Sequence, residues 1–172
     1  ASAHPMDVMR TGTSMLGNLE PEGDFENQLD SINRMIATMA SIVTYWYKYS
    51  HEGVDISLVN DEDTIAGHFL HILHGKPPSE LHKKVMDTSL ILYAEHEFNA
   101  STFTARVCAS TMSDIFSCVV AAIGSLRGPL HGGANEAAMD MIENWKTRDE
   151  AKSNILSMLQ NKEKIMGFGH AV

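Results

Sequence analysis

The fold class is decided by residues 24–53, which read DFENQLDSINRMIATMASIVTYWYKYSHEG. Apolar side chains recur in this stretch every three or four positions, at Phe25, Leu29, Ile32, Ile36, Met39, Val43 and Trp46. This spacing places them on one face of an α-helix, whereas a half-buried strand would alternate apolar and polar residues. The stretch therefore predicts a long amphipathic helix that begins after a capping Asp24 and ends near Gly53.

Helical periodicity continues on both sides of this stretch. On the N-terminal side, His4-Pro5 predicts a helix start, and Gly12 and Gly17 are expected to interrupt that helix. On the C-terminal side, further helices are expected to start near Asp61, Ser79, Asn99, Ser113, Ala134 and Thr147. No run of alternating residues indicates a strand. The predicted fold class is therefore all-α and multi-helical.

Two segments near the C-terminal side depart from the amphipathic pattern. Residues 113–126 are apolar on most sides, which predicts a helix that is buried all round. Residues 162–172 have no helical period, and their run Met166-Gly167-Phe168-Gly169 indicates a loop. Turns and loops of this kind often carry binding and catalytic residues.

Composition and charge narrow the classes of function. The 172 residues are 44% apolar and 20% charged, which is typical of a globular protein. A net charge of −9 argues against a nucleic-acid partner. No apolar run reaches the roughly 18 residues of a membrane-spanning helix, and no signal-peptide pattern is visible. Cys108 and Cys118 lack any zinc or CxxC spacing, and we interpret them as reduced core residues of a cytoplasmic protein.

Three of the nine histidines recur at every third position, as His68, His71 and His74. Residues so spaced are neighbours on a helix surface, and two of them could share a metal ion. A metal-binding helical bundle is therefore one alternative function. Zinc sites recruit further ligands, however, and no HExxH pattern accompanies these histidines. We favour helix-edge imidazoles that hydrogen-bond to neighbouring groups, and we assign no metal ligand.

Three other histidines lie at helix ends or beside glycines. His96 follows the helix that starts at Ser79, His131 lies in the turn GPLHGGAN, and His170 lies in the loop GFGH. Glycines beside a histidine let the backbone approach a ligand closely. An imidazole at such a turn could donate a hydrogen bond to a developing oxyanion. From spacing alone, capping of the turn is an equally simple role.

Five motifs lie in order along the chain. They are AHPMD at 3–7, HFLH at 68–71, YAEHEFNAST at 93–102, RGPLHGGANE at 127–136 and GFGHAV at 167–172. Through these motifs the whole chain resembles the citrate synthase family. The histidine–glycine motif is the most specific of them, and the segment EHEFNAST indicates the bacterial 2-methylcitrate synthase branch.

The resemblance implies an almost entirely helical, two-domain enzyme that works as a homodimer. Such an enzyme condenses an acyl-CoA, here propionyl-CoA or alternatively acetyl-CoA, with oxaloacetate. It then hydrolyses the thioester to give 2-methylcitrate or citrate and CoA. The resemblance implies no separate cofactor, because coenzyme A enters as part of the substrate.

The resemblance also implies roles for individual residues. His131 matches the histidine that hydrogen-bonds the thioester carbonyl as it enolises, and His170 matches the one that polarises the ketone of oxaloacetate. His96 matches the histidine that holds oxaloacetate, and the neighbouring Tyr93 and Asn99 are assigned to the substrate pocket. The loop that receives coenzyme A is matched by Lys164, Ile165, Met166, Gly167 and Phe168.

Family members carry further sequence on both sides of these motifs, including the aspartate that acts as the base and the arginines that bind oxaloacetate. We therefore expect residues 1–172 to be an internal piece, containing most of the large domain and little of the small domain. We also expect this piece to be inactive alone. A non-catalytic helical module that binds a partner through its apolar faces is the alternative.

Overall fold

The computed structural model describes residues 2–24, 26, 28–95 and 97–168. Within these ranges the backbone forms eight α-helices, a π-helical turn and no β-strand. The helices are α1 (Pro5–Leu19), α2 (Gln28–Tyr47), α3 (Ile65–His74), α4 (Glu80–Tyr93), α5 (Ala100–Ala109), α6 (Ile115–Leu126), α7 (Gly133–Glu143) and α8 (Arg148–Gln160). The predicted all-α fold class is confirmed for this part of the chain. No helix found there combines the length and the apolar character that crossing a membrane requires.

The chain divides into two compact units, Ala1–Gly124 and Ser125–Val172. In the first unit, α1 packs on α2, α2 on α3, and α3 on α4. Its core includes seven buried apolar residues, namely Met35, Ala40, Ala66, Ile72, Phe116, Cys118 and Ile123. The second unit contains α7, α8 and the segment that follows α8. The assignment of all 172 residues to one large domain stays a prediction.

Helix α1 runs through Gly12 and Gly17, so the predicted interruption is wrong. Both glycines face large side chains of other helices. A Cβ on Gly12 would lie 2.6 Å from Cγ2 of Ile42, and one on Gly17 would lie 2.8 Å from Cβ of Phe116. The glycines therefore permit close packing, which outweighs their low helix propensity of about 1 kcal/mol each.

Several helix ends match their capping residues. Ser79, Asn99 and Thr147 each accept a hydrogen bond from a backbone amide in the first turn of the following helix, as predicted. The long helix ends at Gly53, as expected, but its last turn, Lys48–Glu52, is π-helical. Its described part begins at Gln28, and the predicted start at Phe25 lies outside the described residues.

The start of α3 differs from the prediction. The helix begins at Ile65 rather than near Asp61, because Thr64 Oγ1 accepts a hydrogen bond from Gly67 N at 2.9 Å and so caps the helix. The preceding Glu62 does not belong to the first turn. Its carboxylate contacts side chains of α3 and α4 instead.

Helix α6 is less buried than its composition suggests. Phe116, Cys118 and Ile123 are buried, whereas Ser117 and Gly124 are exposed and the other apolar positions are mostly half-buried. The prediction of burial all round is therefore wrong for this unit. One face of α6 packs into the core, and its remaining surface is only partly covered.

Candidate active site

The predicted catalytic His131 lies in a tight turn between α6 and α7. Its backbone amide donates to Gly128 O at 3.0 Å, and its carbonyl accepts from Ala134 N at 3.0 Å. Gly133 N also donates to Gly128 O, at 3.2 Å. The backbone on both sides of His131 is therefore fixed by hydrogen bonds, and its half-buried imidazole is presented just before the first turn of α7.

Two glycines allow this turn to form. A Cβ on Gly132 would lie 2.5 Å from Leu126 O and 2.6 Å from Leu126 Cδ1. A Cβ on Gly133 would lie 3.0 Å from Gly128 O. These positions face backbone atoms, which cannot rotate away as a side chain can. The histidine–glycine motif is thus explained by packing as well as by access for a ligand.

The segment proposed to receive coenzyme A directly follows the end of α8. Lys162, at φ 56°, donates its amide to Leu159 O at 3.1 Å, and Glu163 donates to Met158 O at 2.9 Å. This pair of bonds is a Schellman motif, in which the left-handed position is usually glycine. The motif ends α8 at Gln160, before the segment that starts at residue 164.

Residues 164–168 form a short turn that is mostly exposed. Phe168 N donates to Ile165 O at 3.4 Å, and Gly167 adopts φ 86°, a conformation that favours glycine. Lys164 and Phe168 are exposed, whereas Ile165 and Met166 are half-buried. Gly167 lies against α7, where its Cβ would be 3.3 Å from Cβ of Ala138. The second unit thus brings both the predicted thioester-side histidine and the predicted CoA segment onto α7.

Tyr93 and Asn99 lie in the first unit, on either side of the junction between α4 and α5. Tyr93 is the last residue of α4 and is 73% exposed. Asn99 caps α5 by accepting a hydrogen bond from Thr102 N at 3.0 Å. Between them, the amide of Glu97, at φ 49°, donates to the carboxylate of Glu95. Local hydrogen bonds therefore hold Glu97 and the start of α5.

His96 and His170 lie outside the described residues. Their assignments to oxaloacetate binding and to polarisation of the ketone stay predictions. His131 is the member of the predicted histidine trio whose surroundings the structure describes.

Two of the three histidines of α3, His68 and His71, take part in a polar network. His68 Nε2 lies 3.1 Å from Ser41 Oγ, and its Nδ1 lies 3.1 Å from Asn60 Nδ2. His71 Nδ1 lies 3.3 Å from Glu62 Oε1. Among the residues that the structure describes, no group of three histidine, cysteine or acidic side chains is arranged to hold a metal ion.

Glu62 joins this network to α4. Its second carboxylate oxygen lies 3.3 Å from Lys83 Nζ, and Lys83 is also 3.1 Å from Glu80 Oε1. Hydrogen bonds to Glu80 and Glu62 raise the pKa of the Lys83 ammonium above its ordinary value. The network therefore connects α3 to α4 and to the loop before α3, which indicates a structural role.

A cavity of about 990 Å³ lies in the first unit between α1, α5 and α6. Cys118 lines it, and burial raises the pKa of this thiol to about 11. Tyr93 and Asn99, the predicted site residues that the structure describes in the first unit, do not line this cavity.

Two carboxylates lie at the start of α6. Asp114 accepts hydrogen bonds from Ser117 N at 2.9 Å and Ser117 Oγ at 2.6 Å. These bonds hold the pKa of the Asp114 carboxyl below its usual range. Glu22 Oε2 accepts from Ile115 N at 2.7 Å, so two carboxylates cap α6.

Comparison with protein families gives a match over the whole chain. A family model described as "Citrate synthase, C-terminal domain" matches residues 1–172. A 2-methylcitrate synthase of Shewanella oneidensis is 65% identical over 172 residues, which are 100% of this chain and 46% of that protein. A citrate synthase of Deinococcus radiodurans is 45% identical and is matched over 98% of this chain and 45% of its own length. The chain thus spans about half the length of the curated relatives it matches.

Solved structures of citrate synthases also superpose on nearly the whole chain. The crystal structure of a citrate synthase from Thermotoga maritima superposes with a TM-score of 0.77 at 33% identity, over 98% of this chain and 44% of that one. A citrate synthase from Thermoplasma acidophilum superposes with a TM-score of 0.80 at 28% identity, over 98% of this chain and 45% of that one. The second structure is a ternary complex with carboxymethyl coenzyme A and oxaloacetate.

Proposed function

This chain belongs to the citrate synthase family, and we propose that the whole protein is a 2-methylcitrate synthase. In the proposed reaction, the enolate of propionyl-CoA attacks the ketone of oxaloacetate, and hydrolysis of the thioester releases CoA and 2-methylcitrate. The observation that carries this proposal is the 65% identity to a relative of that name over every residue of the chain. Because the chain covers 46% of that relative, the activity is proposed for the whole protein.

The proposed role of His131 is to donate a hydrogen bond to the thioester oxygen. An α-proton of a thioester is weakly acidic, so a base must remove it while a donor stabilises the enolate oxygen. The turn around His131 suits this role, because hydrogen bonds to Gly128 and Ala134 fix its backbone before substrate binds. A donor held in place in advance needs no reorganisation during the reaction.

The remaining histidines are proposed to act on oxaloacetate. His170 polarises the ketone and His96 holds the substrate, as in the family pattern. Asn99 supports this arrangement by fixing the start of α5 three residues after His96. Tyr93 borders the acyl pocket. The ternary complex of the Thermoplasma acidophilum relative, which holds carboxymethyl coenzyme A and oxaloacetate, supports a coenzyme A compound and oxaloacetate as the two substrates of the whole protein.

Residues 164–168 are proposed to bind the coenzyme A part of the substrate. The segment is exposed at Lys164 and Phe168, and it starts where α8 ends abruptly. The ammonium of Lys164 can form a charge-assisted hydrogen bond with a phosphate of coenzyme A. The neighbouring backbone is exposed enough at Gly167 to contact the ligand. Coenzyme A is thus bound as substrate, and no separate cofactor is proposed.

We extend the proposal to a cytoplasmic homodimer. Helix α5 exposes Phe103 and Val107, which lie four residues apart on one face, and the following turn exposes Met112 at 82%. Exposed apolar groups on one face favour association with a partner surface. Cys118 is buried as predicted, whereas Cys108 is only half-buried and not part of the core; both are free thiols, which suits a reducing compartment. Sedimentation of the whole protein at micromolar concentration tests the dimer, and a monomer would contradict it.

The substrate proposal is tested by measuring thiol release from propionyl-CoA and from acetyl-CoA with oxaloacetate, and by identifying the products by mass. We expect kcat/KM for propionyl-CoA to be higher by about tenfold, the low end of what one methylene contributes to discrimination. A preference for acetyl-CoA would instead support a citrate synthase, the name of several relatives at 38–45% identity. Release from neither thioester would refute the condensing activity.

A further inference from the structure

The acyl-CoA contacts proposed above come from two parts of the second unit, and α7 connects them. The turn that holds His131 leads directly into α7 at Gly133, and the segment 164–168 returns to the same helix at Ala138. Ala138 lies five positions after Gly133, which corresponds to about 7.5 Å along the helix axis. Helix α7 therefore sets the separation between the proposed thioester donor and the backbone proposed to receive coenzyme A.

The segment approaches α7 closely because both residues at the contact are small. A Cβ on Gly167 would lie 3.3 Å from the Cβ of Ala138, which is closer than ordinary van der Waals contact. Gly167 has its unusual φ of 86° at the same point, so the backbone is turned against the helix. A larger side chain at position 138 that extends toward Gly167 would therefore push the segment away from α7.

The other end of α7 cannot absorb such a movement. Gly132 faces the Leu126 carbonyl oxygen, with 2.5 Å between that oxygen and the position of a Cβ. The amide of Asn135 donates to Gly132 O at 3.2 Å, and that of Ala134 donates to His131 O. The His131 turn is thus joined to α7 by backbone hydrogen bonds. By contrast, the segment meets the helix through the Gly167–Ala138 contact.

We infer that Ala138 is a positioning residue for the acyl-CoA, which acts by setting how closely the segment 164–168 approaches α7 and the His131 turn. This inference rests on the proposed function. Ala138 itself has no assigned contact with substrate. The size of Ala138 determines the distance between the thioester donor His131 and the protein backbone of residues 164–168 that contacts coenzyme A. It therefore affects the affinity for acyl-CoA rather than for oxaloacetate.

The test is a size series at position 138 in the whole protein, with Ala138→Ser and Ala138→Val. The matched control is Ala137→Val, which makes the same substitution one residue earlier, about 100° around the same helix. We expect Ala138→Val to raise the KM for propionyl-CoA about tenfold, less than the hundredfold loss that a 1 Å misplacement can cause. Ala138→Ser should raise it about twofold, and in both variants kcat and the KM for oxaloacetate should stay within about threefold.

Titration calorimetry with free coenzyme A provides a second readout that does not depend on catalysis. We expect Ala138→Val to weaken the affinity for coenzyme A more than Ala138→Ser does, as for the KM of propionyl-CoA. Melting curves identify variants that fail to fold, and Ala138→Ser decides the question if Ala138→Val does not fold. A merely structural role for Ala138 predicts equal changes in both substrates, or the same changes in Ala137→Val.

The outcomes separate the inference from the proposed function. Normal acyl-CoA kinetics and normal coenzyme A affinity in folded Ala138→Val would overturn the inference while leaving the condensing activity intact. If the wild-type protein condenses nothing but binds coenzyme A, and the Ala138 variants bind it more weakly, only the proposed reaction is overturned. A wild-type protein that neither binds coenzyme A nor condenses would overturn both.

Discussion

Replacing Gly132 by alanine tests whether the His131 turn depends on close packing against α6. The added Cβ would lie 2.5 Å from Leu126 O, 2.6 Å from Leu126 Cδ1 and 2.8 Å from Leu126 Cγ. The leucine side chain can rotate, but its carbonyl oxygen belongs to the backbone. Some movement of the turn is therefore required, and this moves His131.

The expected cost follows from these contacts. Inserting a carbon into a well-packed site usually destabilises a protein by 1–3 kcal/mol, and we expect ~3 kcal/mol for Gly132→Ala because one contact is with backbone. Gly124→Ala is the matched control. A Cβ on Gly124 meets no atom within 4 Å, and the residue lies within α6. Its replacement should stabilise the protein by roughly 0.5–1 kcal/mol through helix propensity.

Urea unfolding of the whole protein measures both free energies, and thiol release measures the turnover of the folded variants. We expect Gly132→Ala to lower the free energy of unfolding and Gly124→Ala to raise it. We also expect a lowered kcat for Gly132→Ala and an unchanged kcat for Gly124→Ala. If Gly132→Ala is as stable and as active as the wild type, the packing argument is wrong. If it is destabilised but turns over normally, the link between the turn and catalysis is wrong.

Three further predictions concern other parts of the structure. Lys162→Gly should stabilise the protein by about 1 kcal/mol in urea unfolding, because it removes a left-handed non-glycine residue. The control Lys152→Gly lies within α8 and should destabilise the protein by a similar amount. If both substitutions changed the free energy of unfolding in the same direction, the Schellman motif would be contradicted. Cys118, with a pKa of about 11, should resist iodoacetamide at pH 8, where only about one thousandth of it is thiolate. Peptide mapping of the native protein should find label on Cys108 first, and rapid labelling of Cys118 would refute its burial. Because the pKa of Asp114 is lowered in the folded state, its stabilising effect is present above its unfolded pKa and is lost as pH falls through the folded value. The stability advantage of wild type over Asp114→Asn should therefore shrink as pH falls below about 4, and a gap that is constant with pH would contradict this.

Local sequence signals predicted much of the fold. Ser79, Asn99 and Thr147 are capping residues that act within their own helices, so their roles could be predicted without tertiary information. Thr64 was missed as a cap because Asp61, Glu62 and Asp63 look like an acidic first turn. In the structure, Glu62 is used for contacts with His71 and Lys83, which are distant in sequence.

Tertiary packing explains the other differences. Gly12 and Gly17 look like helix breakers, but they are glycines because Ile42 and Phe116 lie against them. A single sequence does not show which distant side chain faces a glycine. The same holds at the candidate site. The motif around His131 could be found from sequence, whereas the Gly132–Leu126 and Gly167–Ala138 contacts, which fix the positions of the turn and the segment, required the structure.

The most direct test of the central claim is the steady-state kinetics of His131→Ala in the whole protein, with both substrates varied. If His131 donates to the thioester oxygen, turnover should fall on the order of 100- to 1,000-fold, as when an oxyanion-hole donor is removed. Oxaloacetate affinity should stay nearly unchanged. Turnover within a few-fold of wild type, together with a lowered melting temperature, would contradict the claim and leave His131 as a residue that only caps its turn.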